Sequence, residues 1–91
     1  MKKFKDKVVW ITGASSGIGE ACAYCFAGEG AILVLTALEA DQLERVKQKC
    51  LDGGASDVAL LPFDLSDLDR LEQLGQEALA CFGRIDILYN N

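Results

Sequence analysis

Histidine is absent from this 91-residue sequence. Its absence removes the most frequent general base among side chains, and it leaves the four cysteines without their usual partner in a zinc site. Cys22 and Cys25 form one Cys-x-x-Cys pair with no second pair, which supports a zinc site poorly. Because both thiols fall on the apolar stripe of a predicted helix, we interpret them as buried packing groups and predict no metal site.

Long apolar runs and basic clusters are also scarce. No stretch approaches the roughly 18 residues of a membrane helix, and the first residues lack the apolar block of a secretory signal. We therefore expect no membrane association and a cytoplasmic location. The net charge of −5 disfavours nucleic acid as a partner, because neutralising phosphates requires clustered Lys and Arg. The one basic cluster, residues 2–7, is interpreted as a solvated leader.

Length and composition indicate a single small globular unit. A chain of 91 residues provides for one domain, and its hydrophobic share of 51% and charged share of 25% are typical of a folded protein. Nothing in the sequence resembles a linker or a low-complexity tract. We therefore predict one domain over residues 1–91.

Short apolar runs alternate with segments of helical periodicity. The runs predict strands over residues 8–11, 31–36, 58–63 and 85–89, and Pro62 marks the third as an edge strand. The first predicted helix starts at Gly17 and stops near Gly28 and Gly30, and the second covers residues 41–50. Ser66 or Asp67 caps a third helix, which Gly83 ends. Such strict alternation predicts a doubly wound α/β fold, in which right-handed crossovers join parallel strands.

The three predicted helices each have one apolar face. A pair of opposite charges, Asp41 and Arg45 at i and i+4, is expected on the exposed side of the second helix. The apolar faces are predicted from spacings of three and four residues: Ile18, Ala21, Cys22, Cys25 and Phe26 in the first helix, Leu43, Val46 and Cys50 in the second, and Leu68, Leu71, Leu74, Ala78 and Phe82 in the third.

Three glycines in seven residues, Gly13, Gly17 and Gly19, separate the first strand from the first helix. In a doubly wound sheet this turn lies at the carboxyl ends of the strands, where ligands bind. Gly13 suits a tight turn, Gly17 leaves space where a phosphate would approach, and Gly19 lets the helix pack closely on the strand. The amides of the following helical turn favour an anion, and Ser15 and Ser16 add hydroxyl donors. A plain strand-to-helix turn is the alternative, but it requires fewer glycines.

Three segments resemble the short-chain dehydrogenase/reductase family: "TGASSGIG" at residues 12–19, "FDLSD" at 63–67 and "GRIDILYNN" at 83–91. Tyr89 stands where a small aliphatic residue is more usual. The resemblance covers nearly the whole chain and implies a Rossmann-like half-domain of four strands in the order 3-2-1-4 with three helices. It also implies an oxidoreductase that uses NAD or NADP and acts on a hydroxyl or carbonyl group.

The same resemblance assigns cofactor contacts. Asp64 would accept a hydrogen bond from the adenine amino group, although it could instead be a turn carboxylate. Asn90 would lie near the ribose, although it could instead make a strand-end hydrogen bond within the sheet. Leu65 would line the adenine slot, and Leu38 follows the second strand. The pyrophosphate and adenosine ribose would be held by Gly13, Ser15, Ser16, Gly17, Ile18 and Gly19.

The choice between NAD and NADP depends on the segment after the second strand. Family members that favour NADP often read "ARR" there, whereas this chain reads "ALE" at residues 37–39. Glu39 would repel a 2′-phosphate if it points inward, which leans weakly to NAD. The alternative is a solvated glutamate in the first turn of the second helix.

The catalytic part of the family pattern is missing from the chain. The family's chemistry requires a tyrosine with a lysine four residues later, which lowers the pKa of the phenol. Position 28, four residues after Tyr24, is a glycine, and only two residues follow Tyr89. We therefore predict no catalytic residue and interpret the chain as an amino-terminal half that is inactive alone. A folding scaffold without working ligand binding is the competing interpretation.

The half-domain interpretation also predicts self-association. The fourth strand would have an open edge, and the third helix alone would cover one face of the sheet while the other two helices cover the opposite face. Open strand edges and uncovered apolar surface favour contact with another copy. We therefore expect a homo-oligomer formed through this edge or this sheet face.

Overall fold

The computed structural model describes residues 3–64 and 66–91. Over these residues, four strands and three helices alternate, as predicted, with a short 3₁₀ turn before the last helix. Their bounds are β1 Val8–Thr12, α1 Gly17–Gly28, β2 Ile32–Thr36, α2 Ala40–Asp52, β3 Asp57–Leu60, the 3₁₀ turn Leu68–Arg70, α3 Leu71–Phe82 and β4 Ile87–Asn90.

The four strands form one parallel sheet in the order β3-β2-β1-β4. β1 lies centrally, with Val9 opposite Leu33 of β2 and opposite Ile87 of β4. Because every neighbouring pair is parallel, the carboxyl ends of all four strands lie along one edge of the sheet. The predicted strand order and doubly wound class are confirmed.

Helices cover both faces of the sheet. α1 and α2 pack on one face, where side chains from β1 and β2 such as Ile11 and Leu33 are completely buried. On the other face, Ala78 of α3 packs against Val8 and Val34. The face of α2 is as predicted, since Leu43, Val46 and Cys50 are all 0% exposed.

Part of the predicted apolar face of α1 was wrong, although Phe26 packs against the core as predicted. Ile18 is 66% exposed, and Ala21 and Cys25 are also exposed. The buried residues are Gly19, Ala23 and Ala27, spaced by four residues along the helix. This stripe of small side chains lets the helix backbone approach the sheet, so the larger apolar side chains are turned aside.

The prediction that the paired thiols are buried was also wrong. Cys25 is exposed and Cys22 is half-buried, and of the four cysteines only Cys50 is buried. Because Gly19, Ala23 and Ala27 face the sheet, Cys25 is turned to solvent and Cys22 lies at the flank of the buried stripe. The orientation of α1 about its axis is therefore the physical reason for the errors in its predicted apolar face and in the predicted burial of the thiols.

Part of the predicted face of α3 was wrong as well. Leu74 and Ala78 are buried, but Leu68 is 73% exposed and Leu71 is 39% exposed. Leu68 belongs to the 3₁₀ turn, whose three residues per turn place its side chains out of register with the α-helical stripe that follows.

β3 ends at Leu60, three residues earlier than predicted. Beyond it, the Leu61 amide still donates to the carbonyl of Leu35 at 2.9 Å, and the Phe63 amide donates to the carbonyl of Ala37 at 3.0 Å. Pro62 lies between these two donors and therefore occupies the position whose amide would face away from β2. β3 is an edge strand, as Pro62 predicted.

Over the described ranges 3–64 and 66–91, no helix combines the length and the apolar character needed to cross a membrane.

Candidate functional site

The loop between β1 and α1 requires glycine at its first position. Gly13 has a φ of +64°, which non-glycine residues rarely adopt. A Cβ atom on Gly13 would lie 3.0 Å from Nδ2 of Asn91 and 3.2 Å from its backbone oxygen. The tight turn predicted for Gly13 is therefore accompanied by close packing against the end of β4.

Gly19 brings α1 against the same loop. A Cβ atom on Gly19 would lie 2.1 Å from the carbonyl oxygen of Gly13, a separation that no side chain tolerates. Gly19 is buried, and the first turn of α1 lies directly over the turn made by Gly13. This contact agrees with the close-packing role that the sequence predicted for Gly19.

Gly17 differs from the other two glycines because it faces open space. Its φ is +58°, and no heavy atom lies within 4 Å of the position that a Cβ atom would take. Gly17 begins α1, and Ser16 precedes it in an extended conformation. The first amides of a helix have no partner within the helix and carry its positive dipole end. A phosphate therefore fits beside Gly17 both sterically and electrostatically.

Ser15 connects this loop to the segment after β2. The Ser15 side chain is buried, and its hydroxyl donates a hydrogen bond of 3.1 Å to Oε1 of Glu39. Glu39 is the residue immediately before α2, and its carboxylate points towards the glycine loop. Leu38 beside it is 64% exposed. Glu39 itself is exposed, so the solvated position that the sequence offered as its alternative is compatible with this hydrogen bond.

Asp64 lies in a local turn. Its Oδ1 accepts hydrogen bonds from the backbone amide of Ser66 at 2.9 Å and from the Ser66 hydroxyl at 2.7 Å. The hydroxyl first, and then the amide, lowers the pKa of the Asp64 carboxyl below its usual value. This is the turn geometry that the sequence offered as the alternative for Asp64. Leu65, assigned to the adenine slot by the resemblance, lies outside the described residues.

The ends of β1 and β4 are joined by side chains. The Thr12 hydroxyl donates a hydrogen bond of 2.6 Å to Oδ1 of Asn90, and it accepts one of 3.2 Å from the Asn91 amide. Nδ2 of Asn91 donates to the carbonyl of Gly13 at 3.4 Å. Asn90 thus makes the strand-end hydrogen bond that the sequence offered as its alternative role.

No role was predicted for Thr12 or Asn91, whose hydrogen bonds join the end of β1 to the end of β4. Both belong to the segments that carried the family resemblance, "TG" and "NN", and this was the only signal in the sequence. The structure places the glycine loop, Glu39 and the two asparagines together at the carboxyl edge of the sheet. Asp64 follows β3 at the same edge, and its hydrogen bonds remain within its own turn.

Neither tyrosine has the properties of a proton-transfer group. The Tyr24 hydroxyl donates to Oε2 of Glu20 at 2.5 Å, and burial together with this carboxylate raises the pKa of Tyr24 to about 12. The neighbouring Cys22 side chain raises the pKa of Tyr89. A phenol that exchanges a proton near neutral pH requires a shift in the opposite direction.

An open groove of about 540 Å³ lies beside α1, and no residue of the glycine loop lines it. It is almost entirely apolar. Its lining comprises Phe4, Cys22, Cys25, Phe26, Gly28, Glu29 and Tyr89. Within the part of the chain that the structure describes, no three Cys, Asp or Glu side chains come together as they would around a metal ion.

Sequence comparison settles which family this architecture represents. A model of the short chain dehydrogenase family matches residues 7–91. The chain belongs to the short chain dehydrogenase family. The human protein named dehydrogenase/reductase SDR family member 7 is 51% identical in an alignment 89 residues long, and this alignment covers 94% of this chain and 26% of that protein.

Solved structures of short chain dehydrogenases share the fold. An alcohol dehydrogenase from the archaeon Thermococcus sibiricus, complexed with 5-hydroxy-NADP, superposes with a TM-score of 0.83 at 35% identity, covering 92% of this chain and 36% of that one. The apo form of a Caenorhabditis elegans glucose dehydrogenase gives a TM-score of 0.86 at 38% identity, covering 98% and 38%. The chain thus spans between about a quarter and two fifths of these short chain dehydrogenases.

Proposed function

We propose that this chain is the dinucleotide-binding half of an oxidoreductase that transfers hydride between NAD or NADP and an alcohol or carbonyl group. The observation that carries the proposal is the open space beside Gly17 at the amino-terminal end of α1. A phosphate needs such a place, with free amides, a favourable dipole and no side chain in the way. Membership of an oxidoreductase family and the NADP-type ligand named for the archaeal neighbour support it.

Those of the proposed cofactor contacts that the structure describes lie near the carboxyl edge of the sheet. When bound, the nicotinamide would supply the hydride chemistry, and this chain's residues would bind and orient it. Asp64 would have to receive the adenine amino group on its Oδ2, because Oδ1 already accepts two hydrogen bonds from Ser66. The proposed contacts are Gly13, Ser15, Ser16, Gly17, Ile18, Gly19, Leu38, Asp64, Leu65 and Asn90.

Of the two nicotinamide cofactors, we propose NAD for this chain. Glu39 points at Ser15, so its negative charge lies where the adenosine ribose of a dinucleotide would approach the loop. A carboxylate there can accept hydrogen bonds from the ribose hydroxyls, whereas it repels a 2′-phosphate. The ligand named for the archaeal neighbour is of the NADP type, and the acidic Glu39 argues for a different choice here.

Titration calorimetry with NAD, NADP and AMP tests the proposal directly. We expect NAD to bind this 91-residue chain with a Kd below about 1 mM, and AMP to bind more weakly because it lacks the pyrophosphate. A flat response to all three ligands would instead favour the second candidate, a folding scaffold whose site is too loose to hold a ligand. Trp10 fluorescence gives an independent signal, since its Nε1 donates to Thr36 next to the site.

We further propose that the isolated chain catalyses no hydride transfer. Both of its tyrosines have raised pKa values, and neither has a lysine four residues later. Purified chain incubated with NAD and common alcohols or ketones should therefore show no turnover. Turnover that follows the protein through purification would refute this proposal. The cytoplasmic location expected from the sequence stays a prediction.

A further inference from the structure

Arg45 of α2 makes an unusual number of contacts for an exposed side chain. Its NH1 and NH2 groups pair with the two carboxylate oxygens of Glu20, at 2.9 and 3.1 Å. The NH2 group also donates to the backbone carbonyl of Ser15 at 3.2 Å, and Nε donates to Gln42 at 3.1 Å. One guanidinium therefore joins α2 to α1 and to the glycine loop.

Of these contacts, the hydrogen bond to the Ser15 carbonyl is the one that affects the conformation of the glycine loop. The peptide group between Ser15 and Ser16 is trans and planar, so its N–H direction is fixed once its carbonyl direction is fixed. By holding the Ser15 oxygen, Arg45 orients the Ser16 amide at the entrance to α1. The hydroxyl of the same Ser15 is held by Glu39, so the carbonyl and the hydroxyl of this residue are both bonded to side chains at or in α2.

Glu20 keeps the guanidinium in place. The bidentate pairing has a fixed fork geometry, and the Tyr24 hydroxyl donates to Oε2 of the same carboxylate. These hydrogen bonds, those from Arg45 before that from Tyr24, lower the pKa of Glu20 to about 2. The carboxylate is therefore ionised at physiological pH, as its pairing with the guanidinium requires.

Stability alone does not account for this arrangement. The Arg45 side chain is 41% exposed, and exposed ion pairs add little to the free energy of unfolding. What the bidentate geometry provides is direction, since a guanidinium clamped by Glu20 directs the second N–H of its NH2 group to one place. That place is the backbone of the glycine loop.

We propose that Arg45 is a positioning residue, which fixes the Ser15–Ser16 peptide of the glycine loop so that the loop is preorganised for the cofactor. The proposal rests on the proposed dinucleotide binding, but its first consequence does not: the loop should be held in the absence of any ligand. An ordered loop binds without an entropic cost that a loose loop would incur.

The chain offers a matched control in Arg84. Like Arg45, Arg84 pairs with a carboxylate, at 3.0 Å from Oδ2 of Asp86, and donates to a backbone carbonyl, that of Asp6 at 2.9 Å. It lies just before β4, at the amino-terminal ends of the strands, whereas the glycine loop lies at their carboxyl ends. The variants to compare are therefore Arg45→Met, Arg45→Lys and Arg84→Met, with methionine retaining most of the aliphatic stem.

Two measurements on each variant test whether Arg45 orders the glycine loop and whether that order affects NAD binding. Hydrogen–deuterium exchange without ligand should accelerate about tenfold at residues 15–18 in Arg45→Met, and the Kd for NAD should rise by about tenfold, the loss expected for one charge-assisted hydrogen bond. Arg45→Lys keeps the charge without the fork, so both quantities should be intermediate. Arg84→Met should change neither of them.

Unchanged exchange at residues 15–18 in Arg45→Met would overturn the proposal, whatever the result of the binding measurement. Faster exchange with an unchanged Kd would also overturn it, because the loop order would then have no bearing on binding. Absence of NAD binding in both the parent chain and Arg84→Met would refute the proposed function instead, and the exchange data would still decide whether Arg45 holds the loop.

Discussion

Gly19 lies so close to Gly13 that a methyl group at its Cα would be placed 2.1 Å from the Gly13 carbonyl oxygen. Two residues six positions apart thus bring the start of α1 into contact with the end of β1. Neither residue can move aside, because the two atoms nearest to the added methyl group belong to the backbone of Gly13. This contact fixes where the first amides of α1 lie, and therefore where an anion at the helix end would bind.

Substituting Gly19 by alanine should destabilise the fold severely. The new methyl group forces α1 away from β1, and overpacking of this kind costs about 3 kcal/mol or more of the free energy of unfolding. Gly75→Ala is the control, since Gly75 also lies within a helix but no heavy atom is within 4 Å of its Cβ position. Urea denaturation should show Gly75→Ala stabilised by roughly 0.5–1 kcal/mol. Similar stabilities for the two variants would contradict the packing role of Gly19.

Gly17→Ala should separate binding from folding. At a φ of +58°, alanine costs roughly 1–2 kcal/mol of stability, but it meets no neighbouring atom. Gly83 at the end of α3 has a φ of +82° and equally open surroundings, so Gly83→Ala carries a similar strain far from the glycine loop. Calorimetry should show NAD affinity reduced about tenfold or more in Gly17→Ala and unchanged in Gly83→Ala. Equal NAD affinities in these two variants would show that no phosphate approaches Gly17.

The residue pattern was sufficient for the strands and the location of the glycine loop, and the family resemblance was sufficient for the strand order. Continuous apolar runs identified β1 and β2, and Pro62 identified the edge strand, because backbone hydrogen bonding restricts which residues such positions accept. The face of α1 was missed for a physical reason. Hydrophobic spacing gives weight to Ile18 and Cys25, whereas close contact between helix and sheet selects the smaller Gly19, Ala23 and Ala27.

The polar contacts of the site could not be predicted because they join distant parts of the chain. Thr12 and Asn90 are 78 residues apart, and Arg45 and Glu20 are 25 apart. The sequence predicted the local pair of Asp41 with Arg45, since residues four apart are neighbours on a helix. In the fold, α1 presents a carboxylate that Arg45 grips with two N–H groups, and a bidentate pair outweighs an exposed local one.

Removing the negative charge of Glu39 should change the choice of cofactor. Glu39→Gln retains an acceptor for the Ser15 hydroxyl but removes the repulsion of a 2′-phosphate, so the affinity for NADP relative to NAD should rise about tenfold. Glu39→Arg should raise the ratio further, to about a hundredfold. Glu44→Gln makes the same change of charge on the exposed side of α2 and should leave the ratio unaltered. Equal ratios in Glu39→Gln and Glu44→Gln would exclude Glu39 as the determinant.

Self-association should depend on the open edge of β4. Leu88 in this strand is 56% exposed, and in the described part of the sheet β4 pairs only with β1. We expect light scattering to show a dimer or larger assembly, and Leu88→Lys to shift it towards the monomer because a lysine on a strand edge opposes pairing. Leu51→Lys, at the end of α2, provides the control for added charge and should keep the assembly intact. A monodisperse monomer of the parent chain would contradict this prediction.

The folded chain should lose stability in acid through Glu20. Hydrogen bonds from Arg45, and then from Tyr24, lower the pKa of this carboxyl from 4.5 to about 2 in the folded state, while in the unfolded state it titrates near its ordinary value. The ionised carboxylate therefore contributes its full stabilisation above about pH 4.5, and the contribution decreases as the pH falls and is lost below about pH 2.

Comparison of the parent chain with Glu20→Gln isolates this effect from that of the other acids. Between pH 5 and pH 2.5 the Tm of the parent chain should fall further than that of Glu20→Gln, so the difference between the two should narrow. Glu44→Gln removes an exposed carboxylate of the same type, and its Tm should follow that of the parent chain throughout. A difference between parent chain and Glu20→Gln that stays constant across this range would mean that Glu20 is not ionised preferentially in the folded state, and that its grip on Arg45 is weaker than the geometry indicates.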